Sequence, residues 1–533
     1  MKMNRKSNVE VLDCTLRDGG YINDFNFRLP VIKNIIRKLN QAAIDIIECG
    51  FLKSQENNIN KTLFADVKAI RSVIPEKADN TMYVAMIQVG KITDDEIEEY
   101  DGTSIDGIRI TFHEQEIDEA FALAKKLMDK GYKVFIQPVG TDTYSDEMLL
   151  HLVMRVNELM PYAFYLVDTL GRMYKKDLLR MFYLIDHNLD TRIRIGFHSH
   201  NNLQLSFANA MELLEHNTTR SIIIDSSVYG MGRGAGNLCT ELIVQYINDN
   251  IGRRYDTIPI LEIVDEYIKP LSFQYQWGYE IAYYIAASTH CHPNYAAFLL
   301  RKQTLHVQGI YSILNSMAEE KKALFDKDYI EKLYSGFMEY NLDDRESIAK
   351  IRHEIGDRSV LVLAPGNSLN KDQEKIEEYI GFVHPYVISI NFIPEMFQTN
   401  MLFVSNIKRF KNVQDLTEGK IENTAIVVTS NIQIEDSEIW KVNYSSYLND
   451  DLVIYDNSGT MCLNLLKKIG VKSVKLAGFD GFSLNKMENY YSANILMDVE
   501  NEKAIQMNEA ISEKMKQLKK VMDISSLTES KYF

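Results

Sequence analysis

The sequence predicts an α/β protein: a TIM (β/α)8 barrel with a helical extension, followed by a C-terminal α/β domain of the Rossmann-like type. Eight short apolar runs alternate with longer amphipathic runs over roughly the first 255 residues. A second set of short apolar runs begins at Ser359, after a helical and aromatic stretch. Eight strand–helix units in about 250 residues match the size of a TIM barrel, and a doubly wound open sheet is the alternative.

The composition is that of a soluble globular protein with more than one domain. The chain has 533 residues, of which 46% are hydrophobic and 25% are charged. A net charge of −15 argues against nucleic acid or an anionic membrane as a general partner. The sequence shows neither a signal peptide nor a transmembrane run, and its five cysteines are scattered without a CxxC pair. We therefore expect a cytoplasmic protein with reduced thiols.

The barrel is assigned to residues 1–258 on the pattern of its segments. Segments such as LPVIKNIIRKLNQA and DEAFALAKKLMDK have apolar positions three and four residues apart, as amphipathic helices do. Between such segments lie the predicted strands, VEVLDC, IDIIEC, MYVAMI, GIRITF, KVFIQPV, FYLVD, IRIGFH and SIIID.

The rest of the chain divides into two predicted regions. Residues 259–350 are rich in aromatic and helix-forming residues without a clear strand, and we interpret them as a helical extension. Residues 351–533 form the second α/β region, which ends in the charged helix NEKAIQMNEAISEKMKQLKK. Its predicted strands lie in SVLVLAPG, VISINFIP, LFVSN, NTAIVVTSN, LVIYD and SVKLAGFD.

Polar side chains end most of the predicted barrel strands. Chemistry in a TIM barrel takes place at the carboxyl ends of its strands, so these residues are the candidates for an active site. In chain order they are Arg17 and Asp18, Glu48, Arg109 with His113 beyond it, Gln137, Asp168, His198 and His200, and Asn237 in the glycine-rich loop GMGRGAGN.

His198 and His200 predict a metal site. Residues two apart on a strand point to the same face, and two neutral imidazoles can hold one metal ion. The alternative is a pair of hydrogen-bonded histidines at a strand end. Closure of the barrel brings strand one near strand seven, so Asp18 can face both histidines. One carboxylate and two imidazoles suit a divalent Mn, Fe, Co or Zn ion. We expect Mn²⁺, with Mg²⁺, Co²⁺ and Zn²⁺ as the alternatives.

Arg17 gives the predicted metal site a second electrophilic group. A fixed guanidinium beside a metal can stabilise an enolate oxygen as its charge develops. The alternative is an ion pair with Asp18 at the surface. Gly19 and Gly20 allow the backbone to approach closely. The loop GMGRGAGN is also rich in glycine, with a flexible loop as the alternative interpretation, and it does not have the spacing of a dinucleotide site.

Three motifs resemble those of a known superfamily. LDCTLRDGG, GFHSHNN and GMGRGAGN, in this order over roughly residues 9 to 310, resemble the DRE-TIM metallolyases, and most of all the 4-hydroxy-2-oxovalerate aldolases among them. The superfamily also includes hydroxymethylglutaryl-CoA lyases, isopropylmalate synthases and the carboxyltransferase domain of pyruvate carboxylase. The resemblance implies that Asp18, His198 and His200 bind a divalent metal, and that Asn237 is a further ligand or supports one. It also implies that Arg17 stabilises the enolate.

One position departs from the aldolase pattern. The sequence has Tyr21 where the aldolases carry the histidine that acts as the base on the substrate hydroxyl. Tyrosine is a weaker base than histidine at neutral pH, so Tyr21 works with a metal-bound water or another residue takes its role. Tyr295 matches a tyrosine near the aldolase site. His290 and His292 lie in the same segment, where packing is an equally good interpretation.

The C-terminal region carries a weaker resemblance. VLVLAPGNSLNKDQEKI is a strand, a glycine turn and a helix, which can be an ordinary turn or a phosphate site. With SGTMCLNLLKKIG it resembles bacterial sialyltransferase-like and other polysaccharide-locus domains that bind nucleotides. The resemblance implies a nucleotide or nucleotide-sugar at Gly366, Asn367, Ser368 and Asn391, with Ser458 and Gly459 nearby. The segment NKMENYYSA lacks the expected histidine, so transferase activity is not predicted.

Together these features predict a divalent-metal-dependent aldolase. Its partners are a 2-oxo acid and an aldehyde, and the second region suggests that a sugar-derived aldehyde enters surface polysaccharide biosynthesis. The alternatives are a Claisen-type condensing synthase that uses an acyl-CoA, and a scaffold that has lost activity through Tyr21. We also expect a homo-oligomer.

Overall fold

The chain forms two compact units, and each is described by itself. The structure is a computed structural model that describes residues 9–75, 77–216, 218–322, 324–416, 423–483, 485, 489–492, 499 and 501–533. The first unit comprises Met1–Ala297 and Ala318–Phe325, and the second comprises Phe298–Met317 and Asp326–Phe533.

The first unit is a closed barrel of eight parallel strands, which confirms the predicted TIM barrel. Each strand pairs with the next along the chain, and β1 pairs with β8 as well as with β2, so the sheet has no edge. The two-residue strand Leu63–Phe64 adds to β2. The barrel strands are β1 Val9–Asp13, β2 Ile46–Leu52, β3 Met82–Gln88, β4 Gly107–Phe112, β5 Lys133–Pro138, β6 Ala163–Asp168, β7 Arg194–Ser199 and β8 Ile222–Ser226.

Seven α-helices accompany these strands, where the sequence suggested eight strand–helix units. The connection between β3 and β4 contains a 3-10 turn, Asp94–Glu96, and no α-helix. Its sequence, DDEIEEYDG, is acidic and has no apolar face for a helix to bury. The helices are α1 Leu29–Gln41, α2 Val67–Arg71, α3 Ile117–Asp129, α4 Asp146–Leu159, α5 Lys175–Asn188, α6 Ser206–Glu215 and α7 Thr240–Asn250.

The barrel interior is closely packed, which fixes the positions of the strand ends. A cluster of fully or almost fully buried side chains fills the lower interior, with Leu12, Val84, Phe135, Tyr165 and Ile223 among its members. Gly196 on β7 makes room for one of them, since a Cβ atom there would lie 2.3 Å from the ring of Tyr165. Inward-pointing residues one step further along the strands therefore lie above this floor, at the carboxyl-end face.

A run of helices follows the barrel, as the sequence predicted for residues 259–350. The described part of this region contains helices and no β-strand. The helices are α8 Ile258–Ile263, α9 Lys269–Ser272, α10 Ile281–Ser288, α11 Pro293–Lys302, α12 Val307–Asn315, α13 Glu319–Lys322, α14 Lys327–Met338 and α15 Arg345–Ile355.

The second unit contains a parallel sheet of seven strands, which confirms the predicted C-terminal α/β domain. The strand order is β13-β12-β11-β10-β9-β14-β15, so the chain reverses its direction of winding between β9 and β14. The strands are β9 Val360–Leu363, β10 Tyr386–Ile390, β11 Met401–Val404, β12 Ala425–Thr429, β13 Trp440–Val442, β14 Ser473–Ala477 and β15 Asp523–Ser526. The helices are α16 Ser368–Lys371, α17 Gln373–Val383, α18 Ile407–Leu416, α19 Ser458–Ile469 and α20 Asn501–Lys519.

Some predicted elements of the second unit were wrong. LVIYD was expected to be a strand, but Leu452–Ile454 is a 3-10 turn in which Leu452 is 85% exposed, so its apolar side chain has no core to enter. The short strands β13 and β15 were missed, because three or four residues show too little alternation. The segment NKMENYYSA lies partly outside the described residues.

Two predictions from composition can be compared with the structure. All five cysteines are free thiols, as expected of reduced cysteines. None of the described helices is both long enough and apolar enough to cross a lipid bilayer.

Candidate metal centre and active site

Asp18, His198 and His200 meet at the carboxyl ends of the barrel strands. One ligand atom from each lies within 4.8 Å of the other two, and all three side chains are buried. Asp18 follows β1, whereas His198 is on β7 and His200 follows it. The two imidazole rings are perpendicular, with centroids 5.3 Å apart. The three residues that the sequence predicts as a metal site are therefore neighbours in the fold.

Asp225 fixes the orientation of His198. Nδ1 of His198 lies 3.0 Å from a carboxylate oxygen of Asp225, and the hydroxyl of Tyr165 donates to the other oxygen over 2.9 Å. Burial would raise the pKa of Asp225, but Arg109 and the hydrogen bond with His198 hold that pKa below its ordinary value. An ionised Asp225 makes Nδ1 the protonated nitrogen of His198, which leaves the lone pair of Nε2 for a metal ion.

Asp18 is held as a carboxylate by two donors. Arg17 donates to Oδ1 and the amide of Asn237 donates to Oδ2, each over 2.6 Å. Burial would raise the pKa of Asp18, but Arg17, His200 and His198 hold that pKa well below its usual range. The other amide atom of Asn237, Oδ1, is buried and accepts no hydrogen bond from any described residue. This orphaned oxygen is available to a cation beside Asp18.

His200 is neutral at any ordinary pH. Burial is the main reason that its pKa is lowered to about 3, against the attraction of Asp18. Its backbone N–H donates to the carbonyl of Asp168 over 3.2 Å, which anchors the end of β7 to β6. A neutral imidazole is the form that binds a metal ion.

Arg17 is fixed on two sides and open on the third. Its Nε donates to Glu48 over 2.7 Å and one terminal nitrogen donates to Asp18. The other terminal nitrogen is buried and has no acceptor within the described part of the chain. Because a buried, unsatisfied guanidinium N–H is costly, this atom is suited to a substrate oxygen. The surface ion pair considered from the sequence is not what the structure shows, since Arg17 is 4% exposed.

The charges around this centre favour a cation. Arg109 lies between Glu48 and Asp225 and forms ion pairs with both, at 3.0 Å for Glu48. The buried group thus contains two arginines, Arg17 and Arg109, and the carboxylates of Asp18, Glu48 and Asp225, so its net charge is negative. Among the described residues, no further cation lies at hydrogen-bond distance from these carboxylates. Buried charge that is not compensated is costly. The donor set, the orphaned oxygen of Asn237 and this excess charge all fit a divalent metal ion.

Tyr21 and Gln137 lie near the carboxyl-end face of the barrel, whereas the carboxylate of Asp168 binds the backbone of its own loop. Tyr21 is 37% exposed, and its ring contacts Phe25 with centroids 5.0 Å apart. Gln137 shares the inward face of β5 with Phe135, and its buried Oε1 has no described partner. The carboxylate of Asp168 accepts the backbone N–H groups of its own loop at 3.0 and 3.1 Å, and burial followed by the charge of Asp142 raises its pKa to about 7.

Tyr295 is used in packing. Its side chain is fully buried, and its hydroxyl lies 2.8 and 2.6 Å from the backbone carbonyls of Lys321 and Leu324, which share its one proton. Its ring also packs against Phe325. A hydroxyl engaged with two carbonyls is not free to exchange protons with a substrate, so this arrangement favours a structural role over the catalytic role predicted for Tyr295.

The second unit uses the turn at Gly366 differently from the prediction. The backbone N–H of Ser368 donates to Asp480 over 2.7 Å, and its hydroxyl donates to the same carboxylate. A Cβ atom at Gly366 would lie 2.3 Å from the carbonyl of Gly478, so the close approach of two loops requires this glycine. A carboxylate of the chain thus lies where we expected a phosphate to bind Asn367 and Ser368.

The other predicted residues of the second unit do come together. The amide of Asn391, at the end of β10, donates to the hydroxyl of Ser458 over 2.7 Å. Ser458 begins α19 and also accepts from Ser405 over 2.6 Å. Asn391 has a left-handed backbone with φ of 63°, which asparagine tolerates better than most residues.

Two functional candidates were missed from the sequence. Asp225 ends the apolar run SIIID and is as clear a strand-end residue as the others, so the signal was present. Arg233 lies inside GMGRGAGN, and nothing in one sequence distinguishes it from a solvated loop residue. In the structure its guanidinium lies 4.1 Å from the centroid of the Tyr21 ring.

Comparison with known proteins defines the class of the barrel. Residues 8–265 match the sequence model of the HMGL-like family, so this part of the chain is an HMGL-like domain. The resemblance to the DRE-TIM metallolyases is thereby confirmed for the barrel.

Individual relatives are similar over about half of the chain. A 4-hydroxy-2-oxovalerate aldolase of Bacillus cereus is 25% identical over 276 residues, which cover 51% of this chain and 79% of that protein. An oxaloacetate decarboxylase of Mycobacterium tuberculosis is 28% identical over 239 residues, covering 44% of this chain and 68% of that protein. Among solved structures, HMG-CoA lyase from Brucella melitensis is 15% identical, with a TM-score of 0.41, over 50% of this chain and 99% of that chain.

Proposed function

We propose that the barrel makes or breaks a carbon–carbon bond next to a 2-oxo acid, with a divalent metal ion, Mn²⁺ in the first instance, held by Asp18, His198 and His200. The observation that carries the proposal is the position of Arg17. The terminal nitrogen of Arg17 without an acceptor among the described residues belongs to the same guanidinium that donates to the Asp18 carboxylate. A ligand at Asp18 therefore has a guanidinium donor beside it.

The named relatives agree with this chemistry. Cleavage of 4-hydroxy-2-oxovalerate and decarboxylation of oxaloacetate both break the bond between the third and fourth carbons of a 2-oxo acid. Both leave an enolate of pyruvate, so both need a group that stabilises negative charge on the former keto oxygen.

The residues of the chain divide the work as follows. Arg17 donates to the keto oxygen and stabilises its charge as the bond breaks. Asn237 supports Asp18 and adds an amide oxygen. A divalent ion held there by Asp18, His198 and His200 would supply Lewis acidity to a bound 2-oxo acid. Tyr21, which follows Asp18 by three residues, moves the proton of the aldol hydroxyl, either alone or through a water molecule.

A substrate screen tests the proposal. Purified full-length protein with added Mn²⁺ is given 4-hydroxy-2-oxo acids of increasing chain length, and release of pyruvate is followed with a coupled dehydrogenase. Oxaloacetate tests decarboxylation, and acetyl-CoA with 2-oxo acids tests the Claisen alternative. Release of pyruvate that is lost with chelator and restored with Mn²⁺ supports the proposal. Absence of every carbon–carbon reaction in a metal-loaded sample would leave the scaffold alternative.

For the second unit we propose binding of a nucleotide or nucleotide-sugar. A doubly wound parallel sheet binds ligands outside the carboxyl ends of its strands, where the winding reverses. Asn391 and Ser458 lie at this face, and we propose them as the contacts to the ligand. The turn at Gly366 is not proposed, because the Asp480 carboxylate already binds the N–H of Ser368. The aldehyde of the barrel reaction would then be sugar-derived and enter surface polysaccharide, in a cytoplasmic homo-oligomer. Calorimetry of the full chain with CMP, UDP and GDP compounds tests the binding.

A further inference from the structure

We propose that Arg233 is a specificity-determining residue that selects an aldehyde partner carrying an anionic group, a carboxylate or a phosphate. This inference rests on the proposed function, because it concerns the second substrate of the same site. Arg233 lies in the glycine-rich loop between β8 and α7.

Arg233 is placed at the rim of the metal centre. Its guanidinium stacks on Tyr21, 4.1 Å from the ring centroid, and Tyr21 follows Asp18 by three residues. Burial has the largest influence on the pKa of His200, and the positive charge of Arg233 helps to lower it further. The same charge also helps to hold down the pKa of Asp18. The side chain is exposed, so it lies beside the buried centre and faces solvent.

Arg233 differs from the other arginines around the site in its partners. Arg17, Arg109 and Arg172 each form ion pairs with carboxylates, at 2.6 Å between Arg172 and Asp142. Within the described ranges, no carboxylate lies within ion-pair distance of Arg233. Stacking on an aromatic ring fixes the plane of a guanidinium while its N–H edge stays open. That edge can bind a carboxylate or phosphate through two parallel hydrogen bonds.

The loop holds Arg233 in place. Its carbonyl accepts the N–H of Gly236 over 3.1 Å, and the N–H of Ala235 donates to the side chain of Asn202 over 3.2 Å. The carbonyl of Gly236 in turn accepts the N–H of Asn201. Asn201 and Asn202 directly follow His200, so the loop is tied to the same strand end as the metal ligand. A charged group carried by such a fixed backbone can discriminate between substrates.

The balance of charge indicates which anion Arg233 binds. The buried group has three carboxylates and two arginines, so a divalent ion would give it one excess positive charge. The carboxylate of the 2-oxo acid neutralises that charge. The charge of Arg233 then remains for a second anionic group, at the outer end of the substrate. The 2-oxo acid has its own buried donor in Arg17 and does not need the exposed one.

Paired substrates test this inference. Condensation of pyruvate is measured with glyceraldehyde 3-phosphate against glyceraldehyde, and with succinic semialdehyde against butanal. In the parent, kcat/KM should favour the anionic member of at least one pair, and the pair that responds distinguishes phosphate from carboxylate. In Arg233→Gln this preference should fall about ten- to a hundred-fold, the usual effect of losing a charge-assisted contact. Arg233→Lys should lose less.

A matched control and a binding measurement complete the test. Arg253 is also exposed, without a described ion pair, and neighbours Arg254, which binds the start of β1 at the opposite end of the barrel. Arg253→Gln should keep the preference. Calorimetry of the Mn²⁺-loaded full chain with glycerol 3-phosphate and glycerol reports binding without turnover. Binding of the phosphate by the parent and Arg253→Gln, but not by Arg233→Gln, supports the inference even if no aldol reaction is found.

Three results would overturn the inference. The first is a parent that neither prefers an anionic aldehyde nor binds glycerol 3-phosphate. The second is an Arg233→Gln variant that keeps the parent's preference. The third is an Arg253→Gln variant that loses the preference as much as Arg233→Gln does. If Arg233→Gln melts at a much lower temperature than the parent, Arg233→Lys decides by its preference ratio. Failure of every condensation reaction would count against the proposed function instead.

Discussion

Asp225 fixes the orientation of His198, a proposed metal ligand, without being a proposed ligand itself. The Asp225 carboxylate accepts hydrogen bonds from Nδ1 of His198 and from the hydroxyl of Tyr165, and it forms an ion pair with Arg109. A carboxylate in this position fixes the tautomer of the imidazole and raises its basicity. His198 without Asp225 would rotate or protonate the wrong nitrogen.

The metal content of two variants should separate ligand from support. Elemental analysis of the parent should give one divalent ion per chain, with a large loss in His198→Ala because a ligand is removed. Asp225→Asn should bind the ion about 10–100-fold more weakly, since it still accepts from Nδ1 but lacks the charge. Equal metal content in parent and His198→Ala would show that the three residues are not ligands.

Arg17 should be tested with lysine as well as alanine. Arg17→Ala would break two buried ion pairs, leaving Glu48 with Arg109 alone and Asp18 with the amide of Asn237 alone, at a cost of about 3–5 kcal/mol in stability. Arg17→Lys keeps the charge but loses the planar fork that reaches three acceptors. We expect Arg17→Lys to retain metal and to turn over about two to three powers of ten more slowly, the scale of one transition-state donor. Turnover near that of the parent would make Arg17 a structural residue.

Tyr21 is the proposed base, a role that the sequence left open. Its hydroxyl is the group that Tyr21→Phe removes, while the ring that stacks on Arg233 remains. We expect the variant to keep metal and substrate binding and to lose aldol cleavage severely, because the hydroxyl proton then has no acceptor. Oxaloacetate decarboxylation needs no such base and serves as the internal control. If both reactions slow equally, Tyr21 acts in packing or binding.

At the scale of elements, the glycine-rich loop shapes the metal centre from outside. A Cβ atom at Gly232 would lie 2.3 Å from the amide nitrogen of Asn237 and 3.1 Å from a carboxylate oxygen of Asp18. A flexible loop was the alternative interpretation of this segment from the sequence. Its hydrogen bonds to the segment after β7 favour a fixed loop that lines the site.

Two glycine-to-alanine variants test this wall. Gly232→Ala should push Asn237 away from Asp18 and weaken metal binding about tenfold or more, with about 1–3 kcal/mol lost from stability through overpacking. Gly252→Ala is the matched control, since a Cβ atom there meets nothing within 4 Å. Metal titration and thermal melting check both. The prediction fails if the two variants behave alike.

The barrel elements were predictable because their signals are local and repeated. All eight strands were found from their apolar runs, and the three residues of the candidate metal centre from their position at strand ends. The exceptions have physical causes. The β3–β4 connection lacks an apolar face, Leu452 is apolar but exposed, and β13 and β15 are too short to show alternation. The role of Tyr295 depends on the carbonyls of Lys321 and Leu324, which are distant in sequence and show no pattern.

At the scale of the whole molecule, the division into units follows contacts that the sequence does not reveal. The sequence boundary was placed at residue 351, whereas Phe298–Met317 and Asp326–Ile355 belong with the second unit. These segments are helical, as is the rest of the extension, so composition cannot separate them. Their attachment depends on particular side chains. Asp344, 8% exposed, accepts the hydroxyl of Tyr447 and the N–H of Asn443 at 2.8 and 3.0 Å.

Fragments of the second unit should therefore differ in stability according to where they begin. A fragment of residues 355–533 lacks Asp344 and the carbonyl of Gln303, which accepts the amide of Asn406 over 3.0 Å. The hydroxyl proton of Tyr447 and the amide N–H of Asn406 would then lose these acceptors, and each lost hydrogen bond would cost about 1–3 kcal/mol. We expect this fragment to melt without a cooperative transition, whereas residues 298–533 should melt cooperatively. Circular dichroism on heating compares the two, and a sharp transition in the shorter fragment would show that the helices before residue 355 are dispensable for folding.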